Sequence, residues 1–285
     1  MTAPRLTTIV DAELGLDGGA MMGVVPRPLW ERAHPPDERH RIRLVSRCAV
    51  FADPAAGRLW LLDAGVGRDW GPKSQAIYDF RFRGSDLRAL LGAAGFDPAA
   101  VTDVLLSHLH FDHAGGIVAR GEDGALGLQF PAARHHVQAA HWAWARSPTV
   151  KDAGSFRPEH LAALEASGRL ELVDGPRALD SRVAVRVVSG HTPGMQLARL
   201  EVDEGELVFP VDLVPLWVHL RLPWVMAYDN EPLRTIEDKR ALLREAAERG
   251  TTLVSGHEPS APRARVCAIG GDVFEAAAFA TEEDR

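Results

Sequence analysis

In the stretch Ser107-His108-Leu109-His110-Phe111-Asp112-His113-Ala114-Gly115-Gly116, three imidazoles and a carboxylate fall within six residues. Neutral imidazole nitrogens and carboxylate oxygens are the ligands that hold zinc and its first-row neighbours. With 12 histidines in 285 residues, the pattern would arise by chance on the order of once in a thousand such chains. A solvated polar turn is the alternative. It leaves unexplained three more ligand-type residues downstream: His191 in Ser189-Gly190-His191-Thr192-Pro193-Gly194, Asp212, and His257 in Gly256-His257-Glu258-Pro259.

Each of these residues follows an apolar run that reads as a strand. Val101 to Leu106 leads to the cluster, Val183 to Val188 to His191, Glu206 to Val211 to Asp212, and Thr251 to Ser255 to His257. Ligands carried on loops at strand ends can converge at one edge of packed sheets. Upstream, Ile42 to Ala52 and Arg58 to Asp63 read as a hairpin about Asp53-Pro-Ala-Ala-Gly. Asp63 is a candidate to hydrogen-bond into a ligand loop, or alternatively to stabilise its own turn. The glycines of Asp63-Ala-Gly-Val-Gly let backbone pass close to a neighbour.

Helices are expected after a Ser85 cap (Leu87, Leu90, Leu91, Ala94), over Gln138 to Arg146, over Glu159 to Ser167, and over Ile236 to Glu248 with Gly250 beyond it. His135 and His136 read as structural or surface residues, and His141 as a weaker pocket candidate. Leu213 to Asp229, interrupted by Pro215 and Pro223, reads as an irregular apolar wall. Val266 to Ile269 reads as a last strand before a polar tail. Strands with interspersed helices and no repeat or low-complexity linker indicate one α/β domain over 1–285, with a division between structural halves near residue 180.

A hydrophobic content of 46% supports a substantial core. The net charge of −7 is spread along the chain, which argues against nucleic-acid binding. No apolar run approaches a membrane span, and no export signal is evident, so the expectation is a cytoplasmic protein without a membrane partner. Cys48 and Cys267 both lie in strand-like runs and read as buried thiols.

In this order of motifs the chain resembles the metallo-β-lactamase-fold hydrolases over roughly Val45 to Glu258. The resemblance implies a four-layer αβ/βα sandwich with two mixed β-sheets. It also implies two divalent metal ions, zinc first, with iron, manganese or cobalt as alternatives. His108, His110 and His191 would hold one ion, Asp112, His113 and His257 the other, and Asp212 would bridge them. Two such ions lower the pKa of a shared water enough to supply hydroxide near neutral pH, so no Ser or Cys nucleophile is required. Asp112 is also a candidate proton carrier to the leaving group, which with Asp212 makes the catalytic pair.

Among these hydrolases the motifs look most like the N-acyl-homoserine lactonase branch, implying a small-molecule lactone or ester as substrate. Met22, Trp30, Trp224, His219 and Tyr228 are the candidate substrate contacts; core packing is the alternative for the apolar ones. That branch often has a Tyr three residues after the bridging Asp, where this chain has Pro215, and His219 or Tyr228 are candidates to fill the space. Organophosphate or aryl-ester hydrolysis is the alternative activity. A di-iron redox protein is disfavoured because it needs a carboxylate where His110 stands, and a flavin domain. Residues 1–40, with flexible glycines beside Met21, Met22, Leu29 and Trp30, read as a lid or homodimer contact, with simple packing on the parent domain as the alternative.

Overall fold

The computed structural model describes residues 3–278; most of the polar tail expected at the C-terminus lies outside them. The chain divides into two compact units, one of residues 1–14 and 46–175, the other of residues 15–45 and 176–285. One step between the units falls at 175/176. The return of residues 15–45 to the second unit carries no sequence signal, because it is made by long-range packing.

The first sheet has the order β4-β1-β2-β3-β5-β8-β9. Its strands are β1 (Arg5–Asp17), β2 (Arg41–Asp53), β3 (Arg58–Leu62), β4 (Arg81–Phe82), β5 (Asp103–Leu105), β8 (Arg134–Gln138) and β9 (Leu170–Val173), with β6 (Val118–Arg120) and β7 (Leu126–Leu128) forming a separate hairpin. The ends of β1 and β2, residues 15–17 and 41–45, count with the second unit. The sheet is mixed: β2 and β3 are antiparallel, while β3, β5, β8 and β9 run parallel. Parallel neighbours need crossovers. Helix Leu87–Ala93 lies in the one between β3 and β5, and helices Ala139–Arg146 and Pro158–Ala166 lie in the one between β8 and β9. The same polarity places the loops after β3 and β5 at one end of the sheet. Trp60, Phe51, Leu61 and Phe130 are fully buried in this unit.

The second sheet runs in chain order from β10 (Arg177–Ala178) through β11 (Val183–Val188), β12 (Met195–Val202), β13 (Gly205–Phe209), β14 (Thr252–Val254) and β15 (Arg263–Gly270) to β16 (Val273–Ala278). Every step is antiparallel except β13 to β14, which is parallel and is bridged by the helix Pro232–Arg249. That helix ends at Gly250 in the left-handed conformation, φ 67°. Strands β11, β13 and β14 consequently share one direction, and the loops after them emerge at the same end.

The α/β class with two mixed sheets is as the sequence indicates, with local corrections. The cap of helix Leu87–Ala93 is Asp86, whose carboxylate accepts from Ala89 N–H at 2.8 Å, not Ser85. Helix Pro72–Tyr78 was not expected, since none of its residues is buried and it carries no apolar face. Strand β16 occupies part of what reads as a polar tail. Cys48 is buried but Cys267 is exposed, because its side chain falls on the outward face of β15. His135 and His136 are buried within the sheet, the latter bound to Asp103 at 2.8 Å, so neither is a surface residue. Among the described residues no helix is long and apolar enough to cross a membrane.

Candidate metal centre

In the first unit, β5 ends two residues before Ser107 and the chain turns through His108 to His110 into a single helical turn, Phe111–Ala114. The tight path is enforced by glycines. A Cβ on Gly115 would lie 2.2 Å from the Val66 carbonyl oxygen, and one on Gly116 2.1 Å from that of Ala64. Such approaches exclude any side chain, and they press the loop after β3 onto the histidine loop, as its glycines suggested. Ala64 N–H donates to the His113 carbonyl at 2.6 Å, and Ser46 Oγ to the Asp112 carbonyl at 2.8 Å.

His108, His110, Asp112 and His113 are all buried. The ring of His108 lies 4.5 Å from that of His110 and 4.1 Å from that of His113, and His113 Nε2 is 3.9 Å from Asp112 Oδ1. His141, in the helix after β8, accepts the Leu109 N–H on its Nε2 at 2.8 Å. It therefore supports the loop through the backbone.

Asp63 makes three bonds with its carboxylate: it accepts from Ser107 N–H at 2.7 Å, from Ser107 Oγ at 2.9 Å, and from His113 Nδ1 at 2.8 Å. Its backbone is left-handed, φ 55°, a conformation that Asp tolerates better than most residues. Because Ser107 Oγ gives its proton to Asp63, its lone pairs are turned to His108 Nδ1, 3.0 Å away. One carboxylate thus orients two imidazoles, directly and through a hydroxyl. Replacing Asp63 by alanine is expected to weaken metal affinity about 10–100-fold, the usual effect of deleting an outer hydrogen-bond partner. Chelator competition on the purified variant checks this.

In the second unit, His191, Asp212 and His257 emerge together after β11, β13 and β14. Their side chains form a closed group, with Asp212 Oδ2 3.1 Å from His191 Nε2 and Asp212 Oδ1 2.9 Å from His257 Nε2. Asp212 stands in a one-turn 3-10 helix, three residues beyond the end of β13 rather than at the strand end itself. The turn begins at buried Val211 with φ 41°. A β-branched residue there is strained, a cost on the order of 1–3 kcal/mol that tends to mark functional sites.

The Nδ1 atoms of both histidines are also held. His191 Nδ1 donates to Asp229 Oδ1 at 2.9 Å, and His257 Nδ1 to the Val45 carbonyl at 2.8 Å. The His191 loop is further fixed by Glu231 N–H to the Gly190 carbonyl at 2.8 Å. A Cβ on Gly190 would meet Thr235 N at 2.2 Å. Ser255 Oγ accepts from His257 N–H and Glu258 N–H and donates to the Pro215 carbonyl at 3.0 Å.

A common rule runs through both units. For His108, His113, His191 and His257, Nδ1 faces a protein acceptor, which assigns the proton to that nitrogen and leaves the Nε2 lone pair for an ion. The donor set of neutral imidazoles with carboxylates is the one that suits zinc and similar divalent ions. These residues fit such ions. Asp229, Ser107 and His141 were not identified as outer partners from sequence. Asp229 lies 38 residues from His191, and no motif marks it.

The expected substrate contacts lie as follows. Met22 and Trp30 are buried in the two short helices Gly18–Met22 and Arg27–Trp30. His219 is buried with Nε2 2.9 Å from the Met21 carbonyl, and burial lowers its pKa to about 4, so it is neutral. Trp224 is buried beneath the Arg221 guanidinium, 4.8 Å from its ring. Tyr228 keeps 36% of its surface exposed.

The model of a family described as the metallo-beta-lactamase superfamily matches residues 45–257. The N-acyl homoserine lactonase AttM of Rhizobium johnstonii is 31% identical over 182 residues, 59% of this chain and 62% of the relative, so the match spans less than two thirds of that protein's length. A probable metal-dependent hydrolase from Staphylococcus aureus has the same fold, with a TM-score of 0.87 at 22% identity over 99% of each chain. The dizinc quorum-quenching lactonase AidC superposes with a TM-score of 0.79 at 19% identity, covering 99% of this chain and 97% of its own. With its motif order matched over three quarters of its length, the chain belongs to the metallo-beta-lactamase superfamily.

Proposed function

We propose that this protein is a dinuclear metal-dependent hydrolase that opens lactones or cleaves simple esters. The observation that carries the reading is the uniform direction of the imidazoles: four histidines on three loops each commit Nδ1 to the protein and keep Nε2 for an ion. The order of ligands in the family assigns His108, His110 and His191 to one ion, Asp112, His113 and His257 to the other, and Asp212 to both. Similarity to AttM, a lactonase, supports a lactone substrate. Zinc is the first choice of metal, in keeping with the dizinc centre of AidC.

When bound, the ions supply Lewis acidity towards the scissile carbonyl and a water of lowered pKa. The protein's own residues do the rest. Asp63 and Asp229 hold the ligating rings in one tautomer, and the short loops after β5 and β11 prevent the rings from turning away. Asp112, beside His113, would take up a proton and return it to the leaving group. Pro215 offers no phenol to orient a lactone, and buried His219 has its Nε2 engaged by a carbonyl, which leaves Tyr228 as the exposed polar group among the expected contacts.

Metal analysis and a substrate panel on one preparation test the proposal. Two metal equivalents per chain with turnover of γ-lactones or simple esters are expected. A fully loaded sample inert towards lactones, aryl esters and phosphotriesters would overturn the substrate assignment, and one equivalent or none would overturn the dinuclear centre.

A further inference from the structure

Lysine is rare in this chain: there are three, and Lys73 and Lys151 are exposed. Lys239 is completely buried in the second unit, on the helix Pro232–Arg249. Burying an amine is costly unless its donors are used, and packing alone would be served by leucine or methionine. Its Nζ donates to the Trp224 carbonyl at 2.6 Å and to the Arg221 carbonyl at 3.2 Å, both main-chain acceptors.

Those two carbonyls belong to a turn, closed by Trp224 N–H to the Arg221 carbonyl at 3.0 Å, in the apolar segment between Asp212 and Asp229. Both ends of the segment reach the candidate metal centre. It leaves from Asp212, a proposed ligand, and returns at Asp229, whose Oδ1 accepts from His191 Nδ1 at 2.9 Å. Just after the turn held by Lys239, Met226 N–H donates to Asp229 Oδ2 at 3.2 Å, and Asp229 N–H to the Met226 carbonyl at 3.2 Å. The helix that carries Lys239 also grips the His191 loop directly: the carboxylate of neighbouring Asp238 accepts from Ser189 N–H at 3.1 Å. One helix therefore holds both sides of the Asp229–His191 bond, the loop through Asp238 and the aspartate through Lys239.

Resting on the reading of His191 as a metal ligand, we infer that Lys239 is a positioning residue for the metal centre: it fixes the Arg221–Trp224 turn from which the chain returns to present Asp229 to His191 Nδ1. It bonds to no proposed ligand and acts through Asp229. Deleting the amine leaves two interior carbonyls without this donor, so the turn relaxes to find others. Asp229 then shifts relative to His191, and the ring loses the hydrogen bond that orients its Nε2.

The test is a double-mutant cycle on zinc affinity, read by chelator competition on the wild type, Lys239→Met, Asp229→Ala and the double variant. Lys239→Met is expected to weaken zinc binding about tenfold, within the range for loss of an outer partner. Asp229→Ala should weaken it at least as much. Lys239→Met should then add nothing further in the Asp229→Ala background, because residues that act through one contact are not additive. Lys239→Gln keeps N–H donors on a shorter stem and should fall between wild type and Lys239→Met; if the methionine variant does not fold, the cycle is run with glutamine. Zinc affinity left unchanged by the Lys239 substitution, or losses that multiply in the double variant, would overturn the inference whatever the effect on stability. If the wild type binds no zinc, the ligand reading fails, and the low-field proton resonance of the hydrogen-bonded His191 Nδ1–H decides the positioning role alone. A resonance lost in Asp229→Ala and shifted in Lys239→Met keeps that role, while one that Lys239→Met leaves in place discards it.

Discussion

Replacing Asp212 by alanine is expected to lower the metal content below two per chain and to reduce kcat/KM by well over the roughly 10–100-fold typical of losing an outer partner. The carboxylate is buried, with one oxygen 3.1 Å from His191 Nε2 and the other 2.9 Å from His257 Nε2. Nδ1 of each ring faces a protein acceptor, so both Nε2 atoms are turned to Asp212, an arrangement that a shared cation would satisfy. Without Asp212 the proposed ligand common to both ions is gone, while the rings themselves remain fixed by Asp229 and Val45. The loss should thus appear in metal analysis without a change in circular dichroism. An Asp212→Ala protein that keeps two metals and activity within tenfold of wild type would remove Asp212 from the ligand set.

The second large effect is on stability and concerns Lys239. This lysine is completely buried in the helix Pro232–Arg249, and burial lowers its pKa from 10.5 to about 7, against the opposing influence of Asp229. Its Nζ donates to the Trp224 carbonyl at 2.6 Å and the Arg221 carbonyl at 3.2 Å. A neutral amine has two N–H groups, and these two acceptors satisfy both. Between about pH 7 and 10.5 the unfolded chain holds a proton on this residue that the folded protein lacks. Folding stability from this group consequently rises with pH across that window, and is lost as pH falls towards 7.

Other groups titrate in the same range, so the informative quantity is the difference between wild type and Lys239→Met, which keeps the stem and deletes the nitrogen. Urea unfolding of the two proteins at pH 7 and pH 10 should show the difference widening in favour of wild type by on the order of 3 kcal/mol. A difference that stays constant would mean that Lys239 remains charged in the fold. The residue also has a structural task, tying the segment around Trp224 to the helix that begins beside the His191 loop.

Much of the strand framework was legible because period and punctuation are local. The run from Val183 to Val188 and the glycine after Arg249 specify a strand and a helix end whatever surrounds them. Helix Pro72–Tyr78 was not legible, since a helix with no buried face leaves no apolar period in the sequence. Cys267 shows the same limit from the other side: its strand was evident, but which face of β15 looks outward depends on what packs there.

The seven candidate ligands were identifiable because His and Asp at strand ends advertise their own chemistry, and their order along the chain is a property of sequence. What only the tertiary structure decided is how those side chains are held. The pairing of Asp63 with His113, of Asp229 with His191 and of the Val45 carbonyl with His257 joins residues 50, 38 and 212 positions apart. The direction shared by β11, β13 and β14 likewise follows from sheet pairing. Hydrogen bonds of that range depend on where strands end in space, and it is they that fix which nitrogen of each imidazole is left for a metal.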